Sequence, residues 1–351
     1  MDQYSPKDDM GLFDLESENV EAGQAWAAAH VQEEAAARLC NAYPNAGRYC
    51  LNLRQHARES IRWREAALKA ARQLKHRSTE GNHLGNLGAA YRALGQVERA
   101  IEYHEQALII AQEICAASTE HSAEWMVARR GEGNALGNLG IAYHTLGQME
   151  RAIEYHQQAL ATAQEIGDRH REGTHLGNLG LAYGVLEQVE RAIEYCQRAL
   201  AIAQEIGDKS LEADLLTIIG WIECAYNEND DLAMSMVDEA ISISTETKNA
   251  SGLLIALFFR GGIDWILHKD QTARENWMRA LSIALDSGYK PLEVTLRAYI
   301  ALLDGEEGYQ EQAREALSLS KQQWKEMNLS PQVTSLLQTM LHCIETGDLP
   351  Q

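Results

Sequence analysis

The residues most able to do chemistry in this chain are its twelve histidines, six cysteines and abundant carboxylates. Imidazoles and thiols at a bond length of ~2 Å from one point would hold zinc. A cysteine or serine beside a histidine would make a nucleophile, and paired carboxylates would serve acid–base hydrolysis. None of these patterns stands in the sequence: there is no HExxH, no GxSxG and no CxxC. The histidines sort instead into copies. His104 and His156 share the wording AIEYH, and His83 and His175 share HLGNLG. The string GEGNALG (Gly131 to Gly137) has glycine spacings of 2 and then 4, not those of GxGxxG, and no strand precedes it. Glu306-Glu307 falls at a hairpin turn and reads as solvent-facing. The expectation is a protein without catalytic residues, cofactor or metal, and with no small-molecule substrate.

Copying extends beyond the histidines. Gly81 to Ile114 (GNHLGNLGAAYRALGQVERAIEYHEQALIIAQEI) recurs as Gly133 to Ile166 and again as Gly173 to Ile206. The NLG triplets begin at Asn86, Asn138 and Asn178, spacings of 52 and 40, so the unit is 40 residues and the first junction carries 12 more. The period persists downstream at Leu216 to Gly220, Leu257 to Gly261 and Leu296 to Ile300, and upstream at Ile61 and Ala67-Leu68. Within a unit, Leu84, Leu87 and Tyr91 mark one face of a first helix, and Ala100, Tyr103, Ala107 and Ile110 that of a second, with Leu94-Gly95 as the stop between them. One such hairpin cannot bury its apolar face alone, so neighbours must stack. The predicted fold is all-α. Residues 1–31 form an acidic leader and capping helix, 32–346 a solenoid with an insertion at about 115–132 and divergent repeats at 210–346, and 347–351 a tail.

The pattern L-x2-L-G-x2-Y at Leu84, Leu87, Gly88 and Tyr91, followed by Ala100 and Ala107, resembles the tetratricopeptide repeat. The 40-residue wording is similar to the subclass in G-protein signalling modulators and kinesin light chains. That resemblance implies a right-handed superhelical solenoid whose first helices line a concave, partner-binding surface. The chain departs from it at the second-helix aromatic, which is His104, His156 and Cys196 here. Phe13 to Tyr43, with Ile61 to Leu74, also resembles the entry segment of sensor arrays in bacterial signal-transducing (STAND) ATPases. No GxxxxGK[ST] accompanies it, so that likeness implies a ligand-sensing regulatory arm lacking its nucleotide-binding domain in this chain.

On the first helices, the implied groove positions are Asn82, Asn86 and Arg92, then Asn134, Asn138 and His144, then Thr174 and Asn178. Asn86, Asn138 and Asn178 form a ladder of amides, each able to donate and accept along the backbone of an extended peptide. Gly85, Gly137 and Gly177 beside them are expected to leave the groove wall open. Downstream the same stripe offers Asp214, Ile218 and Trp221, then Phe258, Phe259 and Trp265, an apolar stretch that reads either as a pocket or as core. The insertion holds Trp125 and Met126, which either protrude toward a partner or fold back as two helices lengthen.

Charge narrows the partners. The net charge of −20 disfavours nucleic acid and anionic membrane, and no apolar run approaches the ~18–20 residues of a membrane span. Scattered cysteines fit a reducing, cytoplasmic setting. The charge is uneven, −8 over residues 1–34, +8 over 38–77 and −12 from 211 onward. Arg54, Arg58 and Arg62 recur every four residues, so one helical face collects them. That basic face would dock an acidic partner or a neighbouring domain absent from this chain, or pair with the acidic leader; only Trp63 accompanies it as an aromatic, which disfavours nucleic acid. The function expected is a protein–protein interaction scaffold for a peptide or protein partner.

Overall fold

The computed structural model describes residues 6–46, 57–227, 229–306 and 310–326, all as helices joined by short turns, with no strand among the described residues. Helices α1 (Pro6–Ala29), α2 (Glu34–Ala46) and α3 (Ala57–Gln73) lead the chain. They are followed by α4 (Arg77–Ala93) with α5 (Val97–Ala117), α6 (Ala123–Thr145) with α7 (Met149–Glu165), and α8 (Arg169–Val185) with α9 (Val189–Ile206). The remaining pairs are α10 (Lys209–Asn227) with α11 (Asp230–Glu246), α12 (Ala250–Ile266) with α13 (Asp270–Ser287), and α14 (Lys290–Glu306) with α15 (Gln310–Glu326). The chain divides into two compact units, Met1–Leu94 with Glu98–Ala135, and Gly95–Val97 with Leu136–Gln351. In the first, Leu84, Leu87 and Tyr91 of α4 bury against Ala100, Ala107 and Ile110 of α5 and against Ile61 and Leu68 of α3. In the second, Leu176 of α8 meets Ala199, Ile202 and Ala203 of α9 and Leu211 and Leu215 of α10. The period-3.6 stripes read from the sequence are these buried faces.

The 12-residue excess lengthens two helices. α5 runs to Ala117 and α6 begins at Ala123; Trp125 is buried, with its ring 5.0 Å from that of His121, and Met126 is half-buried.

In the five hairpins from α4–α5 to α12–α13, a second-helix side chain closes as a knob on a first-helix glycine. A Cβ on Gly88 would stand 2.5 Å from the His104 ring, and one on Gly140 would stand 2.7 Å from His156. Cys196 meets Gly180, Val237 meets Gly220 and Trp277 meets Gly261 in the same way. The positions that depart from the family's aromatic are therefore side chains pressed directly onto the backbone of the partner helix. Beside each knob in the consensus repeats, two tyrosines stack under an arginine. Tyr91–Tyr103, Tyr143–Tyr155 and Tyr183–Tyr195 have centroids 5.2, 5.3 and 5.3 Å apart, with Arg99, Arg151 and Arg191 over the first ring of each.

A second device recurs at the head of the first helices. Glu80, buried, accepts from Arg72 at 2.8 Å and Arg77 at 2.6 Å, and Arg77 also pairs with Glu113 of α5. Glu132 accepts from Gln112 and Arg129, Glu172 from Gln164 and Arg169, and Glu212 from Gln204 and Lys209. Burial acts to raise the Glu80 pKa, but the hydrogen bonds from Arg72 and Arg77 outweigh it and hold the carboxyl below its usual range. Each such glutamate ties the second helix of one hairpin to the first helix of the next.

Gly95, Gly147 and Gly207 end helices with φ of 76, 73 and 68°, whereas Glu187 takes the equivalent left-handed place with φ 58°. Replacing Glu187 with Gly is expected to raise unfolding stability by about 0.5–1 kcal/mol in urea melts, because the side chain opposes that conformation. Gly140→Ala should instead lower stability by about 1–3 kcal/mol, although Ala favours an isolated helix. Adding His156→Ala should recover much of that loss; strict additivity in the double-mutant cycle would refute the knob contact.

Candidate functional site: the face of the first helices

The asparagines lie on the sides of the first helices turned away from the leucine core. Asn86 on α4, Asn138 on α6 and Asn178 on α8 are half-buried. Among the described residues their side-chain amides have no hydrogen-bond partner within the chain. Asn82 is exposed, as is Asn134, which has an interaction partner. Thr174 is already engaged: its hydroxyl donates to the His170 carbonyl at 3.0 Å. Arg92 is half-buried with Nε shielded from solvent, and His144 is half-buried with Nε2 shielded.

The glycines do something other than hold the face open. Only Gly85 has empty space around its Cα. A Cβ on Gly137 would stand 2.6 Å from the His175 ring of α8, and one on Gly177 would stand 2.8 Å from Leu215 of α10. Successive first helices approach closely there, so these glycines are filled by the next hairpin.

Further along, Trp221, Phe258, Phe259 and Trp265 are half-buried and joined through tilted and edge-to-face ring contacts, Trp265 by way of Tyr299. Trp221–Phe259 centroids are 5.3 Å apart, Phe258–Phe259 5.4 Å and Trp265–Tyr299 6.1 Å. The Trp277 indole N–H donates to the Phe258 carbonyl at 3.0 Å, anchoring one end of the cluster. Phe258 and Trp265 pack on the α12–α14 core, while Trp221 packs on Cys224, Ala233, Val237 and Ile263 and meets the ring of Phe259. On α10, Asp214 occupies the place of Thr174 and Ile218 that of Asn178, each 40 residues on.

Of the basic face, Arg54 lies outside the described residues, Arg58 lies on α3, and Arg62 is exposed and has a partner. Sequence reasoning does not single out the network of buried and half-buried glutamates, although its signal, a basic residue three before each glutamate, stands in the sequence at Arg77, Arg129, Arg169 and Lys209.

The copied histidines meet across pairs. His156 of α7 and His175 of α8 have ring centroids 5.9 Å apart, and the His144 charge also bears on His156. Among the described residues no three His, Cys, Asp or Glu side chains are disposed to share a metal ion. Burial pushes the Cys196 thiol up to about 12, far from a thiolate nucleophile. No helix among the described residues is long and apolar enough to cross a membrane.

This geometry of stacked hairpins agrees with the family comparison. Models described as tetratricopeptide repeat match residues 131–188 in one form and residues 82–121 and 173–206 in another. The chain contains tetratricopeptide repeats. No curated protein matches it. Among solved structures, it is similar to aspartyl phosphate phosphatase F from Bacillus subtilis, with 17% identity and a TM-score of 0.59, over 92% of this chain and 76% of that one. It is similar to the Rap conjugation gene regulator of the plasmid pLS20, solved in complex with the Phr* peptide, at 16% identity, TM-score 0.57 and coverages of 78% and 70%. A Rap protein complexed with competence and sporulation factor aligns at 13% identity and TM-score 0.52, over 94% of this chain and 98% of that one. At these identities the likeness is one of fold.

Burial holds His83, His104 and His175 of these repeats at about 4 and His156 at about 3, against 6.5 for a free imidazole. The unfolded chain therefore binds protons that the native chain refuses. This contribution to stability is full above pH 6.5 and is lost as the pH falls from 6.5 toward 4. Urea melts are expected to show a loss of up to about 2 kcal/mol per buried imidazole near pH 5, and His104→Phe with His156→Phe should shrink that slope. A stability that is flat between neutral pH and pH 5 would contradict it.

Proposed function

We propose that the repeats form a protein-interaction scaffold that takes an extended peptide or protein segment along the face of its first helices. In the second unit Asn138 and Asn178 grip the backbone of that segment, and Asn86 offers the same group on the first. The observation that carries this reading is the set of three amides at one repeat position, half-buried and without a hydrogen-bond partner in the chain. An amide so placed keeps its donor and acceptor for a ligand or for water, and a peptide backbone satisfies both whatever its side chains. The pLS20 regulator, solved with a peptide, adds the support that a protein of this fold accommodates one.

The test is a selection of random displayed peptides on the full chain, followed by affinity measurement on Asn138→Ala/Asn178→Ala. Two lost hydrogen bonds at about 1 kcal/mol each predict roughly thirty-fold weaker binding with an unchanged melting temperature. Unaltered affinity would remove the asparagines from recognition.

A further inference from the structure

Asp214 differs from the other acids at the heads of these helices. Glu212, two residues away, accepts from Lys209 at 2.6 Å; Asp208 pairs with His170 at 2.5 Å; and Asp168 pairs with Arg171 at 2.5 Å. Asp214 is half-buried, and among the described residues it has neither a hydrogen-bond nor an ion-pair partner. Burial first, and the charge of Asp208 second, push its carboxyl up to about 6. The cations nearest in sequence are thus committed elsewhere, and an unpaired carboxylate is left in a place where burial is costly.

Its position says which way it faces. Leu211, Ala213, Leu215, Leu216, Ile219 and Ile222 of α10 are buried in the core, and the half-buried Asp214, Ile218 and Trp221, at i, i+4 and i+7, form the stripe at its margin, where Ile218 and Trp221 each pack by one side on buried neighbours. That stripe continues the one bearing Asn178, and it ends on the Trp221–Phe259 pair. A carboxylate short of a cation therefore stands two helical turns from an aromatic surface, on the face assigned above to a ligand.

We infer that Asp214 is a cation-recognising subsite of this face, taking the Lys or Arg side chain of a bound peptide whose nearby apolar side chain seats on Trp221 and Phe259. The inference rests on the peptide-binding reading and adds the ligand's chemistry to it. Seven residues of helix separate Asp214 from Trp221, about 10.5 Å at 1.5 Å per residue. An extended peptide covers that span in about three residues, and the long basic side chain shortens it. The motif is then a basic residue one to three positions from an aromatic or large aliphatic one. An acidic residue at that place is repelled by Asp214 and by Asp208 beyond it.

The experiment compares selections of random displayed peptides on the native full chain, on Asp214→Asn and on Trp221→Ala, with melting curves for all three. Native selections are expected to be enriched in the basic–apolar motif. Asp214→Asn should lose the basic enrichment and keep the apolar one, and Trp221→Ala should do the reverse. A synthetic copy of an enriched peptide with its basic residue changed to norleucine should bind the native chain at least ten-fold more weakly, yet bind Asp214→Asn as well as its parent does. If enriched peptides depend on Asn138 and Asn178 but carry no basic residue, or if the norleucine penalty persists in Asp214→Asn, the subsite is refuted while the peptide-binding reading stands. If no peptide is enriched, both fall.

Discussion

The contact on which the structure depends is the one between a second-helix side chain and a first-helix glycine in the same hairpin. His104 on Gly88, His156 on Gly140, Cys196 on Gly180, Val237 on Gly220 and Trp277 on Gly261 repeat it with five different volumes and polarities. What stays constant is the missing Cβ, which lets one helix come down onto the backbone of the other, since a packed core has no spare volume for a methyl group there. The close approach fixes how these hairpins are rotated about their axes. That rotation in turn decides which stripe of the first helix turns inward and which stays at the margin of the core.

Polar side chains at this contact carry a second consequence. An imidazole packed onto a helix backbone fills the space of an aromatic ring, but it does so only while neutral. His104 has no hydrogen-bond partner for either nitrogen, and neither does His175, which presses on Gly137 from the next hairpin. The acids at the helix heads follow the opposite logic. Glu80, Glu132, Glu172 and Glu212 each accept from a basic side chain three residues before and from another side chain on the preceding helix. Against that background Asp214 differs, since among the described residues it has no cation beside it.

Much of the fold is legible in the residues. The 40-residue spacing of the NLG triplets, the leucine and tyrosine periodicity and Gly95 as a stop correspond to helices and turns found at those positions. They are legible because each depends on local rules, periodicity along a helix and the left-handed turn that follows it. The insertion and the glycines beside the asparagines were not decidable that way. Trp125 had two readings, and its burial depends on contacts with side chains outside its own helix. Gly137 and Gly177 read as openings because a sequence does not display what lies across from a missing side chain; His175 and Leu215 fill the space.

The sequence by itself determined the repeat, its all-helical class, the identity of the core positions and the set of amides repeated on the first helices, because periodicity is a one-dimensional property. Only the tertiary structure decided which polar residues are satisfied. Thr174 and Asn178 share a stripe in the sequence, yet the first bonds back to His170 while the second has no partner in the chain. Glu212 and Asp214 are two residues apart, yet one is paired and the other is not. Hydrogen-bond satisfaction and desolvation depend on what neighbouring elements bring within about 3 Å, and that distance is set by packing rather than by the order of residues.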